Sequence, residues 1–287
     1  MFRYIFNFTG NKQVSVLLFL GTTTNKNMPL QITSLDYFFN DNTKTIKNMA
    51  NLEWYEGKVV DIIKETPFIR RFFIQVPSLK SYDFKAGQHV KIEFPIPSRK
   101  NYRQYSFANS PDGSNIFELL IVLDPNGLAT NYLFNEVSIG STLKISEPRG
   151  NFLVPEYVDT DLCFISTGVG LAPLRSIYLD ILNRNIPHKH IYVIFGTRYM
   201  RDLIYVEEME ELSKRDDFTF IPVLSRETSD QWDGRRGYLH DVYKELFKEL
   251  PPVEYYICGW RDMVTEARNN LMNMGYKRKQ IHFERYD

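Results

Sequence analysis

The 287-residue chain contains only two cysteines, Cys163 and Cys258. Two cysteines cannot staple a disulfide-dependent scaffold, and they cannot ligate an iron–sulfur cluster, which needs about four thiolates. The five histidines show no helical metal-ligand spacing, so we predict no metal site. The shortage of cysteine favours a reducing compartment, and we expect the protein in the cytoplasm.

Long apolar runs and an excess of one charge are also lacking. No run approaches the roughly 20 residues that a membrane helix needs, which argues against stable membrane insertion. Lys and Arg together number 35, as do Asp and Glu, so the formal net charge is zero. This balance gives no general electrostatic reason to expect nucleic acid as a partner.

Residues 1–48 have no steady hydrophobic period and are rich in Asn, Thr and Lys. A clear strand pattern begins shortly after Met49. We therefore expect a disordered extension, or a misassigned start with translation beginning at Met49. A targeting segment is the alternative, because residues 14–21, VSVLLFLG, form a weak apolar core without a clear cleavage site.

The remaining chain has two parts with different periodicity. Residues 52–155 hold six short extended segments separated by turn residues, which predict an antiparallel β-barrel or sandwich, with one helix at ATNYLFNEV before the last strand. Over residues 158–287, apolar strands alternate with helical segments, which predicts a parallel sheet with helices on both faces. A nucleotide would bind at the carboxyl ends of these parallel strands.

The stretch ISTGVGLAPL, residues 165–174, follows the first parallel strand. Gly168 and Gly170 would let the backbone approach a pyrophosphate at a helix N-terminus, and Pro173 suits a first helical turn. Pro173 nevertheless stands where the dinucleotide fingerprint has Gly or Ala. On these residues alone, a failed fingerprint, a different kind of site and a turn without a ligand all remain open.

Several cations follow neighbouring parallel strands. Arg198 ends the second strand, Ser225 and Arg226 end the third, and Arg235 and Arg236 follow in a loop. A Rossmann site for NAD would place an acid near Arg198, whereas arginines suit a 2′-phosphate. The cluster favours NADPH over NADH, and solvated loop arginines are the alternative.

Two further stretches carry groups suited to a cofactor. RQYS, residues 103–106, offers a cation, an aromatic ring and a hydroxyl, although a surface edge strand could have the same composition. Cys258 ends a strand in CGWRDM, and Glu284 and Tyr286 share one face of the last strand. A buried structural thiol and a packing tyrosine are the simpler interpretations of the second stretch.

Seven motifs resemble, in family order, those of the ferredoxin–NADP(+) reductase family of flavoproteins: RQYS, GLAT, STGVGLAP, FGTR, SRET, CGWRDM and FERY. In that family the glycine turn is Gly-x-Gly-x-x-Pro, which Pro173 matches. The resemblance covers roughly residues 52–287. It implies an FAD-binding barrel, an NADP-binding domain, and electron transfer between NADPH, as hydride, and a one-electron carrier such as ferredoxin or flavodoxin.

The resemblance also implies roles for individual residues. Arg103 would meet the FAD pyrophosphate, Tyr105 would pack against the flavin and Ser106 would reach its reactive nitrogen. Further cofactor contacts are implied for Gln104, Leu120, Ile121, Val122, Leu128, Ala129, Thr130, Thr167, Gly168, Gly170 and Pro173. The 2′-phosphate end of NADPH would be held by Thr197, Arg198, Ser225, Arg226 and Arg235.

The same resemblance implies a catalytic set of Ser106, Cys258, Glu284 and Tyr286. Cys258 and Glu284 would flank the nicotinamide, and Tyr286 would stack on the isoalloxazine. Two departures from the family pattern bear on this set. Asp287 adds a residue after the stacking aromatic, and Trp260-Arg261 stands where small residues or proline are common.

Two other functions remain open on the sequence. The same two-domain arrangement serves as the NADH-dependent reductase of oxygenase systems, and this chain would then need a separate iron–sulfur partner. A catalytically silent subunit that only binds flavin or nucleotide is the second, although RQYS, Cys258 and Glu284 are intact. The electron acceptor, the direction of electron flow and the oligomeric state are not specified by the sequence.

Overall fold

The computed structural model describes residues 4–8, 12–16, 52–97 and 101–286. Near the start, β1 (Tyr4–Phe8) and β2 (Lys12–Val16) form an antiparallel pair. They belong to a unit, Met1–Asn51, that is distinct from the unit Leu52–Asp287. The predictions for the rest of residues 1–48 and for Asp287 lie outside the described residues.

The larger unit begins with a six-stranded antiparallel sheet in the order β6-β5-β8-β3-β4-β7. Alternate residues of its strands point inward, and Phe72, Ile74, Val90, Ile92 and Leu119 are fully buried. The helix α1 (Leu128–Asn135) packs against this core, so the predicted barrel strands and the helical insert are confirmed. The strands are β3 (Trp54–Lys64), β4 (Ile69–Gln75), β5 (His89–Glu93), β6 (Tyr102–Ser106), β7 (Ile116–Val122) and β8 (Thr142–Ser146).

In the described part of the chain, the two ends of this sheet meet around Phe107 and Leu119. A bridge joins Phe107, directly after β6, to Leu119 in β7, and the N–H of Ala108 donates to the carbonyl of Glu118 at 2.8 Å. Over residues 120–122, β7 pairs with β4 along one edge, but the described strands show no ladder with β6 along the other. We call this opening, between residues 103–106 of β6 and 120–122 of β7, the barrel split.

A six-stranded parallel sheet forms the rest of the unit, in the order β12-β11-β10-β9-β13-β14. Its strands are β9 (Asp161–Thr167), β10 (Ile191–Thr197), β11 (Phe218–Leu224), β12 (Arg235–Arg236), β13 (Val253–Trp260) and β14 (Ile281–Tyr286). The helices are α2 (Leu171–Asn183), α3 (Val206–Leu212), α4 (Leu239–Leu246) and α5 (Arg261–Met274). Tyr256 packs in the core on one face and Tyr255 in the core on the other, which confirms the predicted α/β architecture.

Buried charges join the barrel to the parallel sheet. Arg175 of α2 lies 3.1 Å from a carboxylate oxygen of Glu118 in β7 and also pairs with Glu208 of α3. Arg71 of β4 and the hydroxyl of Tyr205 each donate to Glu118 at 2.6 Å. Burial acts to raise the pKa of Glu118, but attraction to Arg175 and the hydrogen bond from Arg71 outweigh it. The pKa therefore lies below its ordinary value.

Candidate functional site

A cleft of about 660 Å³ lies at the carboxyl ends of the parallel strands, facing the barrel. Its barrel wall includes Phe68 and Val122, and its other wall includes Thr167, Thr197 and Ser225, at or just after the ends of β9, β10 and β11. This is where ligands bind in open α/β sheets, and the cleft is large enough for a small-molecule ligand.

The predicted glycine turn forms one side of the cleft. β9 ends at Thr167, residues 168–170 make a 3₁₀ turn, and α2 begins at Leu171 with Pro173 in its first turn. The first turn of α2 carries no acidic residue and no side-chain cap. The N–H of Leu171 already donates to the carbonyls of Gly168 and Val169, and Pro173 has no N–H. A phosphate at this turn would therefore meet the positive end of the helix dipole and few free N–H groups.

The two glycines of the turn are needed for different reasons. Gly168 has φ +52°, a left-handed conformation, and nothing lies within 4 Å of the position that a Cβ would take. A Cβ on Gly170 would lie 2.4 Å from the carbonyl oxygen of Cys258 in β13. Gly168 therefore leaves open space before α2, whereas Gly170 lets the turn pack closely on β13.

The barrel split brings together two sets of predicted FAD contacts. Tyr105 and Ser106 stand on its β6 side, and the backbone of residues 120–122 stands on its β7 side, without a ladder to β6. A strand edge of this kind offers donors and acceptors to a ligand, because backbone polar groups need partners. The arrangement fits a planar ring system with a polar edge, such as a flavin.

The start of α1 adds a second element to the predicted FAD site. Gly127 precedes the helix, which has no side-chain cap and no acid in its first turn, and Leu128 is exposed. The hydroxyl of Thr130 donates to the carbonyl of Asp124 at 3.0 Å and accepts from the N–H of Asp124 at 3.1 Å. A pyrophosphate would therefore meet the free N–H groups of α1 in preference to this hydroxyl.

The four residues of the predicted catalytic set lie at one place. The hydroxyl of Tyr286 donates to Oγ of Ser106 at 2.7 Å, which connects the last strand of the chain to β6. Across β13 and β14, Cys258 pairs with Glu284 and Trp260 pairs with Tyr286. The parallel register therefore places the thiol and the carboxyl directly beside the tyrosine.

Burial changes the acid–base chemistry of this set. Cys258 is fully buried, and its burial raises the pKa of the thiol well above the ordinary value. The thiol therefore stays protonated and is not a nucleophile at neutral pH. Burial also raises the pKa of the Glu284 carboxyl to about 7, so this group can hold or release a proton near neutrality.

The predicted phosphate-binding residues of β10 and β11 adjoin one another. The N–H of Ser225 donates to the carbonyl of Thr197 at 2.9 Å, and the N–H of Arg226 donates to the carbonyl of Arg198 at 3.0 Å. Thr197, Arg198 and Ser225 line the cleft. Arg198 and Arg226 are both exposed, and their backbones are neighbours at this end of the sheet, but of these two only Arg198 lines the cleft.

The other two arginines of the predicted cluster have protein partners. Arg235 pairs with Glu245 of α4 at 2.6 Å. Arg236 donates to the backbone carbonyls of Glu227 and Ser229, at 3.2 Å and 2.7 Å. Arg235 is thus less available to a 2′-phosphate than Arg198 and Arg226.

The cleft also contains residues that the motifs did not reveal. Phe68, in the turn before β4, and Tyr238, directly before α4, line the cleft and are largely exposed, and Arg201 lies beside them on its wall. Large aromatic residues inside turn sequences were a usable signal, because an exposed ring in a turn has no core to pack against.

The described residues contain neither a metal-binding cluster nor a membrane-spanning helix. Within the described ranges, no group of three or more His, Cys, Asp or Glu side chains could hold a metal ion. Over those ranges, no helix has both the length and the apolar character needed to cross a membrane.

Two family profiles match the chain, one for each part. Residues 56–154 match the oxidoreductase FAD-binding domain, and residues 164–269 match the oxidoreductase NAD-binding domain. The two matches follow the antiparallel sheet and the parallel sheet in order along the chain.

Relatives and solved structures agree with these profiles. The chain is 32% identical to "Ferredoxin--NADP reductase B" of Sorangium cellulosum over 246 residues, 83% of this chain and the whole relative. It is also 32% identical to "Phenol hydroxylase P5 protein" of Acinetobacter pittii, over 81% of this chain but only 65% of that longer protein. The crystal structure of a ferredoxin NADP+ reductase from Neisseria gonorrhoeae with bound FAD and NADP aligns with a TM-score of 0.70 at 25% identity, over 82% of this chain and 99% of that chain.

The profiles and the full-length relative agree with the cleft, the glycine turn and the barrel split. The chain belongs to the ferredoxin–NADP(+) reductase family and is an oxidoreductase that binds FAD and a pyridine nucleotide.

Proposed function

We propose that this enzyme is an NADPH-dependent reductase that passes electrons to a one-electron carrier protein such as ferredoxin or flavodoxin. The observation that carries the choice of NADPH is a pair of exposed arginines, Arg198 and Arg226, whose backbones are hydrogen-bonded neighbours just after β10 and β11. Two adjacent arginines suit the charge of a 2′-phosphate. The relative that matches over its whole length carries the name of a ferredoxin–NADP reductase.

The barrel split and the start of α1 would hold FAD, which when bound supplies hydride acceptance and one-electron release. Tyr105 and the backbone of residues 120–122 would contact its ring system, with Ser106 at the ring edge. Arg103 and the free N–H groups over residues 128–130 would balance the pyrophosphate charge. Both cysteines are free thiols, which supports a reducing compartment such as the cytoplasm.

Tyr286 would control access of the nicotinamide to the flavin. Its hydroxyl is hydrogen-bonded to Ser106, so its ring lies against the β6 side of the barrel split. The nicotinamide would have to displace this ring to approach Ser106. Cys258, buried and protonated, would exclude water there, and Glu284 would hold a proton at its carboxyl near neutral pH.

The main alternative is an NADH-dependent reductase component of an oxygenase. It is favoured by relatives such as the anthranilate 1,2-dioxygenase electron transfer component of Acinetobacter baylyi, which is 30% identical but of which the match covers only 65%. These 287 residues hold only two cysteines, too few to ligate an iron–sulfur cluster, so the cluster would then lie outside them.

Anaerobic reduction of the purified protein tests the proposal. We expect a yellow protein whose flavin absorbance is bleached by NADPH at least about tenfold faster than by NADH, because the arginine pair favours the 2′-phosphate. Faster bleaching by NADH would support the oxygenase alternative. A protein that binds flavin but is bleached by neither donor would be a binding subunit.

The same assay on Arg226→Ala tests the arginine pair itself. We expect kcat/KM for NADPH to fall about tenfold and that for NADH to change little, since one charge-assisted contact is lost. Arg215→Ala is the control, because Arg215 is an exposed arginine paired with Asp217 before β11, at the opposite end of that strand from Arg226. Equal losses with both donors would contradict the 2′-phosphate role.

A further inference from the structure

The cleft has opposite charges at its two sides. Arg198 and Arg201 line it after β10, whereas Asp262 and Glu266 line it from the first two turns of α5, which follows β13. Only β9 lies between β10 and β13, so the ends of these strands are about 10 Å apart. The arginine side suits phosphate, and the side near α5 suits a cation.

Trp260 stands on the carboxylate side of the cleft. It is the last residue of β13, lines the cleft and is 64% exposed. The preceding Gly259 has φ +146°, and a Cβ there would lie 2.5 Å from Oγ1 of Thr167. Gly259 therefore packs tightly at the turn, and the large indole of Trp260 is left facing the open cleft.

Trp260 lies beside Tyr286, the residue that would control access of the nicotinamide to the flavin and is called the gate here. The two residues are register partners across β13 and β14, so their backbones are neighbours. Under the proposed function, a nicotinamide cannot reach the Ser106 side of the barrel split while the Tyr286 hydroxyl is bonded to Ser106. An exposed aromatic ring one strand away is a place where a planar ring could rest meanwhile.

We infer that Trp260, together with Asp262 and Glu266, forms a binding subsite for the oxidised nicotinamide ring, displaced from the flavin. The inference rests on the proposed function and extends it to the order of ligand exchange. The oxidised ring is a pyridinium cation, and tryptophan is the best aromatic partner for a cation. The reduced ring is neutral. It therefore makes no cation–π interaction with the indole and is not attracted by the two carboxylates.

His240 also lines this side of the cleft and does not cancel the carboxylates, and Arg261, between Trp260 and Asp262 in the sequence, is not among the residues that line it. Its Nε2 lies 3.4 Å from a carboxylate oxygen of Glu266, and its Nδ1 lies 2.9 Å from the hydroxyl of Tyr243. Burial lowers the pKa of His240, so its ring is neutral at neutral pH. The subsite therefore holds NADP+ more strongly than NADPH and retains the product beside the gate.

Equilibrium binding to the oxidised, FAD-loaded enzyme tests the subsite without turnover. Three probes are titrated by calorimetry: NADP+, its unreactive neutral-ring analogue 1,4,5,6-tetrahydro-NADP, and adenosine 2′,5′-bisphosphate, which lacks the nicotinamide. For Trp260→Leu we expect the Kd of NADP+ to rise about five- to tenfold. The Kd values of the other two probes should change less than about twofold.

Three variants make the result specific. Trp260→Phe should recover part of the NADP+ affinity, because an aromatic face remains. Asp262→Asn should weaken NADP+ selectively, and it tests the subsite even if Trp260→Leu folds poorly. Tyr157→Leu, at an equally exposed aromatic (65%) outside the cleft, should change none of the three values.

A Trp260→Leu enzyme that binds all three probes as the native enzyme does, or that loses affinity for all three alike, would overturn the inference. In both cases binding of the bisphosphate to the native enzyme would leave the proposed function standing. A native enzyme that binds neither NADP+ nor the bisphosphate would instead contradict both the subsite and the proposed use of NADPH.

Discussion

At the scale of single residues, the Glu284 carboxyl and the Cys258 thiol both hold their protons more tightly than usual. The two residues are partners across β14 and β13. Cys258 is fully buried and Glu284 is half-buried, and burial disfavours the charged form of each. Motifs predicted that these two residues belong to the site. The bond between Tyr286 and Ser106 could not be predicted from motifs, because it joins residues that are 180 positions apart and depends on how the barrel meets the sheet.

The raised pKa of Glu284 has a consequence for stability. Its folded-state pKa is about 7, against an ordinary value of 4.5, so the folded protein binds the proton more tightly than the unfolded chain. This contribution is fully present below pH 4.5 and is lost as the pH rises through 7. Between pH 5 and pH 8 the native protein should therefore lose about 2 kcal/mol more of its free energy of unfolding than Glu284→Gln does. Thermal unfolding should show this as a larger fall in the Tm of the native protein.

An exposed glutamate gives the matched control for this measurement. Glu249 is 85% exposed at its side chain, so Glu249→Gln should leave the pH dependence of the Tm unchanged. If Glu284→Gln and the native protein had parallel curves of Tm against pH, the carboxyl of Glu284 would not titrate near neutrality.

At the scale of elements, the turn between β9 and α2 was the most informative segment of the sequence. Apolar periodicity and the glycine spacing predicted the strand, the turn and the helix, and all three are present. The need for glycine at position 170 could not be predicted from the sequence, however. It depends on the carbonyl of Cys258, which β13 brings alongside from nearly 90 residues further along the chain.

The two glycines of this turn should respond differently to alanine. Gly168→Ala meets no atom within 4 Å and has only its φ of +52° to oppose it, which costs about 1 kcal/mol. Gly170→Ala places a methyl group 2.4 Å from backbone, so the turn must move away from β13. We expect a loss of about 2–3 kcal/mol and weaker NADP+ binding. Urea denaturation of both variants measures this order, and a larger loss for Gly168→Ala would contradict it.

At the scale of the whole molecule, buried ion pairs fix the barrel against the parallel sheet. Alternation and periodicity predicted both architectures, but they did not predict that Arg175 and Glu118 would meet, since each sits in an otherwise apolar segment. The spatial order of the barrel strands could not be predicted from hydrophobic alternation either, because strand pairing depends on contacts between distant segments. Arg175 lies at the interface between the barrel and the parallel sheet, and it belongs to the helix that follows the glycine turn.

Loss of Arg175 should therefore destabilise both parts together. Arg175→Met leaves Glu118 and Glu208 without this partner, and we expect a loss of about 3 kcal/mol in the free energy of unfolding. Arg184→Met, directly after the same helix and in a pair with the exposed Glu156, should cost less than about 1 kcal/mol. Circular dichroism and tryptophan fluorescence in urea measure both variants. Similar losses in the free energy of unfolding for the two variants would contradict a larger contribution from the buried ion pairs.

The barrel split has a consequence for the life of the protein in the cell. If FAD fills the opening between β6 and β7, the cofactor takes the place of the missing ladder, and chain folding and cofactor capture become a single event. A chain made faster than flavin can be supplied would keep an open strand edge, which is a site for pairing with other chains. The amount of intact enzyme would then follow the flavin supply of its host, independently of how strongly its gene is expressed.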